Sequence, residues 1–80
     1  MSRTEITTTL NKIFQEIFDD DQITINDSTS IADIDAWDSF EHIALIATIE
    51  EEFSIKFDLK EAGNLNNVGT IIDKIIEKIG

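Results

Sequence analysis

The chain has 80 residues, 17 acidic against 6 basic side chains for a formal net charge of -11, and 41% hydrophobic content. That length holds one core, read as a single domain over 1–80, and leaves no room for a catalytic domain with an ordinary substrate pocket, so a binding or carrying role is expected. The acidity repels phosphate backbones and anionic membranes and attracts proteins with basic patches, and the lack of cysteine leaves any thiol chemistry to a cofactor.

Met1-Ser2-Arg3-Thr4-Glu5 lacks the apolar run of a signal peptide, and no later stretch approaches the roughly 18 apolar residues of a membrane span. A cytoplasmic location is expected. Ser2 followed by Glu5 is a capping-box pattern, and Ile6, Leu10, Ile13, Phe14 and Ile17 then recur at helical spacing. The pattern predicts a first helix from Arg3 to Phe18. Asp19-Asp20-Asp21 ends it, because carboxylates at a helix C-terminus oppose the dipole.

From Asp19 to Asp38 no period is sustained, which predicts a long loop pinned to the core by Ile23, Ile25, Ile31, Ile34 and Trp37. The alternation at Ile23 and Ile25 could start a strand, but no second strand is available to pair with it. Counted as an EF-hand from Asp19, the loop has Thr24 where a glycine belongs and Ser30 where a bidentate Glu belongs. A solvated turn is the better reading, and no metal ligands are assigned.

Ser39 to Phe53 reads as a second helix. At about 100° per residue, Leu45, Ile46, Ile49 and Phe53 share a core face. Phe40, Ala44, Ala47 and Glu51 project to the other side, with Ile43 at its margin and Glu41 and Glu50 flanking it. An ordinary surface helix would be polar there. His42 projects toward the core side near the helix start, where a packed or hydrogen-bonded ring is expected rather than a catalytic one. Asp58 to Ala62, with Gly63 as the stop, has room for a short helix. Val68, Ile71, Ile72, Ile75, Ile76 and Ile79 form the stripe of a last one, with Asn67 as its cap and Lys74 and Lys78 near its end. The expected fold is all-α: a four-helix bundle with three longer helices and one short helix, and a long loop between the first two.

Asp38-Ser39 falls where the loop turns into the second helix, so the hydroxyl is expected near solvent beside free backbone N–H groups and the positive end of the dipole. The site suits an attached phosphate. From the dipeptide alone, a simple helix cap is the commoner fate.

Trp37-Asp38-Ser39-Phe40, followed by Ile43, Leu45-Ile46 and Ile49-Glu50-Glu51-Glu52-Phe53, resembles the phosphopantetheine attachment region of acyl carrier proteins, and the resemblance extends over nearly the whole chain. It implies that Ser39 receives 4'-phosphopantetheine from coenzyme A through a magnesium-dependent phosphopantetheinyl transferase, with Asp38 beside it. The arm's thiol then carries acyl or aminoacyl cargo as a thioester. It further implies a monomeric carrier, not an enzyme, whose loading and transfer enzymes dock with basic patches on a surface that includes Trp37, Phe40, Glu41, Ile43, Ala44, Ala47, Glu50 and Glu51. The bland reading of Glu50-Glu51-Glu52 is a solvated helix end.

Ala36 stands where fatty-acid carriers usually have glycine, and Ala44 and Ala47 stand where they often have Glu and Met. Trp37 before Asp-Ser looks like stand-alone carriers of specialised biosynthesis, and Asp38-Ser39-Phe40 is similar to carriers of D-alanine. The alternatives are a D-alanyl or peptidyl-type carrier, an unmodified helical interaction module, and a calcium-binding helical protein.

Overall fold

A computed structural model describes residues 1–79, with four α-helices: α1 (Arg3–Ile17), α2 (Ser39–Phe53), α3 (Leu59–Gly63) and α4 (Val68–Ile79). The all-α, four-helix expectation holds, with α3 as the short member.

The capping box opens α1 as expected: the Glu5 N–H donates to Ser2 Oγ at 3.1 Å, and the Ser2 N–H donates to Glu5 Oε1 at 2.8 Å. Two of the helix's orphan donors are thereby satisfied. The helix buries Ile6, Leu10, Ile13 and Phe14. It ends one residue earlier than expected, because Phe18 serves as the cap and Asp19 adopts a left-handed φ of 49° that turns the chain away.

The long loop contains two features that its pattern did not announce. Ile31–Asp33 forms a 3₁₀ turn, and Ser30 pairs with Asn67 in an isolated antiparallel bridge. Ile23 and Ile25 lie in no strand. The loop is held mainly by main-chain hydrogen bonds to the start of α4: Ile31 N–H to the Asn66 carbonyl at 2.9 Å, Val68 N–H to Thr29 at 2.8 Å and Gly69 N–H to Asp27 at 3.0 Å. First-turn amides of α4 thus find their acceptors in the loop, and Asn67 caps the Thr70 N–H at 2.8 Å as expected. On the α1 side, Asn11 Oδ1 accepts from the Ile25 N–H at 2.8 Å.

Ile25 and Trp37 are buried, and Ile23 and Ile34 are half-buried against the core. Ile31 is a correction to the expected pins. It stays 39% exposed, because main-chain bonds hold the segment where it sits and do so without burying its side chain.

α2 packs against α1 and contributes Leu45, Ile46, Ile49 and Phe53 to the core, the face expected. Each such side chain, fully buried, contributes about 1.5–3 kcal/mol. Ser54 ends the helix in the left-handed region, at φ 55° and ψ 47°.

α3 opens on a capping box between Asp58 and Glu61, and Gly63, expected as its stop, is its last residue, with Asn64 as the C-cap. It buries no residue fully and is held largely from outside. Glu61 meets Lys78 at 3.1 Å and Lys74 at 3.7 Å, tying α3 to α4.

α4 packs against α1 and buries Val68, Ile71, Ile72 and Ile75. Its apolar stripe is narrower than its sequence suggests, for Ile76 and Ile79 are each 37% exposed. Arg3 bridges Asp27 and Asp73 at 2.9 and 2.8 Å, joining α1, the loop and α4 at the surface. Among the described residues no polar or charged side chain is buried.

Candidate functional site

The end of the loop is anchored just ahead of the serine. Trp37 is only 3% exposed, meets Phe14 edge-on with ring centroids 5.2 Å apart, and donates its Nε1–H to His42 Nδ1 at 2.9 Å. Its expected place on the docking surface is therefore corrected. A large aromatic side chain beside the core buries its apolar body and satisfies its one donor internally.

Asp38, the next residue, is exposed and caps α2, with Oδ1 accepting the Glu41 N–H at 2.9 Å and its carbonyl accepting the His42 N–H at 2.9 Å. Ser39 is then the first residue of the helix, on the surface. The amides of Ser39 and Phe40 have no intrahelical acceptor at a helix start, so N–H groups and the positive end of the α2 dipole surround the hydroxyl. The Asp38 carboxylate has its Oδ1 committed to the Glu41 N–H and so is held in the cap. These residues fit a phosphodiester on Ser39 Oγ.

Beyond Ser39 the outer face of α2 is apolar where a solvated helix would not be. Phe40 is 78% exposed and Ile43 is 71% exposed. Ala47 and Glu51 are exposed as well, while Glu41 and Ala44 are half-buried. Glu50 departs from the expected rim: its Oε2 accepts the Phe57 N–H at 2.7 Å, which commits the carboxylate to closing the segment between α2 and α3. α2 carries four glutamates and no Lys or Arg, so the strip lies in a uniformly negative field.

One exposed residue escaped the sequence reading. Leu59 is 94% exposed, the most exposed large hydrophobic side chain of the described residues. The available signal was a leucine directly after the Asp58 cap in a helix too short to show a period. His42, expected to be packed or hydrogen-bonded, proves to link Trp37 to α3, since its Nε2 lies 2.8 Å from the Ala62 carbonyl oxygen. Its distant partner could not be read from the sequence.

His42 thus uses both ring nitrogens in structural bonds, and among the described residues no group of three or more His, Cys, Asp or Glu side chains is arranged to hold a metal ion. Asp19, Asp20 and Asp21 line an open surface hollow with Gln15 and Glu16. No described helix is long and apolar enough to cross a membrane.

A small helical bundle with an exposed serine opening its second helix has the form of a carrier domain. No family model matches the sequence, and no curated protein does. Among solved structures, the chain is similar to the holo acyl carrier protein of Geobacter metallireducens, whose solution NMR structure it matches with a TM-score of 0.84 and 44% identity, over 91% of this chain and 84% of that one. At that identity over that span the chain belongs to the acyl carrier protein family, whose members are carriers and not enzymes.

Proposed function

We propose that this protein carries acyl or aminoacyl groups as thioesters on a 4'-phosphopantetheine arm attached to Ser39 and delivers them to partner enzymes. The observation that carries the reading is the placement of Ser39: the first, exposed residue of α2, directly after the capping Asp38, in a chain 44% identical to a holo acyl carrier protein. Supporting it are the free first-turn amides, which suit the phosphate, and the absence of cysteine, which leaves the thiol to the arm. Partner enzymes supply the nucleophiles, acids and bases. They dock on the apolar strip of Phe40, Ile43, Ala44 and Ala47 with basic patches facing Glu41 and Glu51. The carrier acts as a cytoplasmic monomer and as one domain.

The test is incubation with coenzyme A, magnesium and a broad-specificity phosphopantetheinyl transferase, followed by intact mass. Wild type should gain one phosphopantetheine, and Ser39→Ala, which leaves the Asp38 cap in place, should fold and gain none. Modification of Ser39→Ala would move the site. No modification of the wild type would leave an unmodified helical interaction module.

A further inference from the structure

We infer that His42 is a positioning residue for Ser39: its neutral imidazole, fixed with the proton on Nε2, couples Trp37 to α3 and so sets where α2 begins. The inference rests on the reading of Ser39 as the attachment site.

The tautomer follows from the partners. An indole N–H only donates, so at 2.9 Å from Trp37 Nε1 the Nδ1 of His42 must be the acceptor. The ring's single proton is then on Nε2, where it points at the Ala62 carbonyl oxygen 2.8 Å away. An imidazolium would set two donors face to face at Nδ1. Among the described residues no carboxylate stands within ion-pair distance of the ring to compensate for that: Asp38 caps the Glu41 N–H, and Glu61 pairs with Lys78 and Lys74. The two rings lie edge to edge, with centroids 6.0 Å apart and planes 21° from parallel, the arrangement an in-plane N–H···N bond requires.

Trp37 and His42 bracket the attachment site in sequence, and both are fixed. The indole is held edge-on by Phe14 of α1, and its main-chain N–H donates to the Ile34 carbonyl at 3.0 Å. The main-chain N–H of His42 makes the first hydrogen bond of α2, to Asp38. Side-chain and main-chain bonds therefore close a small ring around Asp38–Glu41, and Ser39 cannot shift without breaking one of them. The far end of the linkage matters because α3 buries no residue fully, so the bond to Ala62 is one of the few that hold it against α2. A phenylalanine at position 42 would keep an aromatic ring there but lose both hydrogen bonds.

The transferase needs Ser39 Oγ placed for attack, whereas its binding depends on the outer strip of α2. Loss of the linkage should therefore lower kcat with little change in KM, because a small displacement of a reacting atom costs far more in rate than in affinity. With coenzyme A and a broad-specificity transferase, His42→Phe should be modified with kcat reduced roughly fivefold or more, while circular dichroism shows a native helix content. His42→Asn, which places an acceptor at the position of Nδ1, should recover much of that loss. Long-range ¹H–¹⁵N spectra of the unmodified protein at neutral pH should show the Nε2–H tautomer. A wild type that is not modified at all would overturn the attachment reading and the positioning role with it. A modified wild type with His42→Phe at the wild-type kcat would overturn the positioning role alone. If His42→Phe fails to fold, His42→Asn and the tautomer decide: a folded Asn variant whose kcat is reduced roughly fivefold or more from wild type, or a proton found on Nδ1, overturns the inference.

Discussion

The Gly69 N–H donates to the Asp27 carbonyl at 3.0 Å, and a Cβ added at Gly69 would lie 2.8 Å from that same oxygen. The loop thus approaches α4 closer than any other residue type allows. Neighbouring bonds from Val68 to Thr29 and from Ile31 to Asn66 keep the loop from moving away. Alanine would ordinarily improve a helix over glycine by about 1 kcal/mol. Here Gly69→Ala should instead destabilise the protein by about 1–3 kcal/mol, the usual cost of forced overpacking. Urea denaturation measures it, and a more stable variant would show that the loop yields freely.

Ser54 presents the opposite case. Its φ of 55° strains any residue with a Cβ, and its side chain is exposed. Ser54→Gly should raise stability by about 1 kcal/mol, since the left-handed conformation costs that much or more for an L-residue. A melting temperature unchanged or lowered would contradict it.

Ile46 is 7% exposed on the core face of α2. Ile46→Ala removes that burial and leaves a cavity, which should cost about 2–5 kcal/mol. For a domain this small the total stability lies near the low end of about 5–15 kcal/mol, so the variant should be partly unfolded at room temperature. A cooperative melt at the wild-type midpoint would place the core face elsewhere.

Glu61 supplies a pH dependence with a definite sign. The hydrogen bond from the Asp58 N–H, then the bond to Lys78, hold its carboxyl below the usual carboxylate range, against a smaller opposing effect of desolvation. The unfolded chain therefore takes up the proton at higher pH than the folded one, and stability falls as pH falls. The contribution is fully present above the unfolded carboxylate value of about 4.3 and is lost as pH drops through the lower folded value. The gap in melting temperature between wild type and Glu61→Gln should accordingly be widest near neutral pH and narrow steadily in acid. A gap that does not change with pH would mean the carboxylate's charge contributes nothing there.

On the outer face of α2, the acidic rim and the apolar centre are expected to separate steering from adhesion. Glu51→Lys should slow transferase modification more at low salt than at high salt, because screening removes the attraction it disrupts. Ala47→Glu should impair modification at every salt concentration by placing a charge in the apolar strip. Glu50→Gln should act mainly on stability, since the carboxylate is spent on the Phe57 N–H. Wild-type rates for Glu51→Lys and Ala47→Glu across a salt series would move docking off this face.

Most of the helical framework was readable because each helix states its own case locally. Ser2 with Glu5 and Asp58 with Glu61 cap within three residues, and the spacing of Leu45, Ile46, Ile49 and Phe53 selects a face without reference to the rest of the chain. The exposed start of α2 at Ser39 followed from the same local signals. So did the apolar strip of Phe40 and Ile43, which no core periodicity could absorb.

What the tertiary structure decided lies in contacts between residues far apart in sequence, which leave no periodic trace. Trp37 reads equally well as an exposed docking residue or a core anchor, until Phe14 and His42 enclose it. Ile31 looks like a pin, but hydrogen bonds from backbone that carries no side-chain signature hold its segment at the start of α4. The Glu50 carboxylate resembles its neighbours Glu51 and Glu52 in sequence, and only the approach of Phe57 commits it. Helix caps and faces arise from interactions within one turn or two, so the sequence determines them. The assignment of a side chain to core, surface or interhelical bond depends on which distant segment arrives beside it, and that was settled only when the four helices packed.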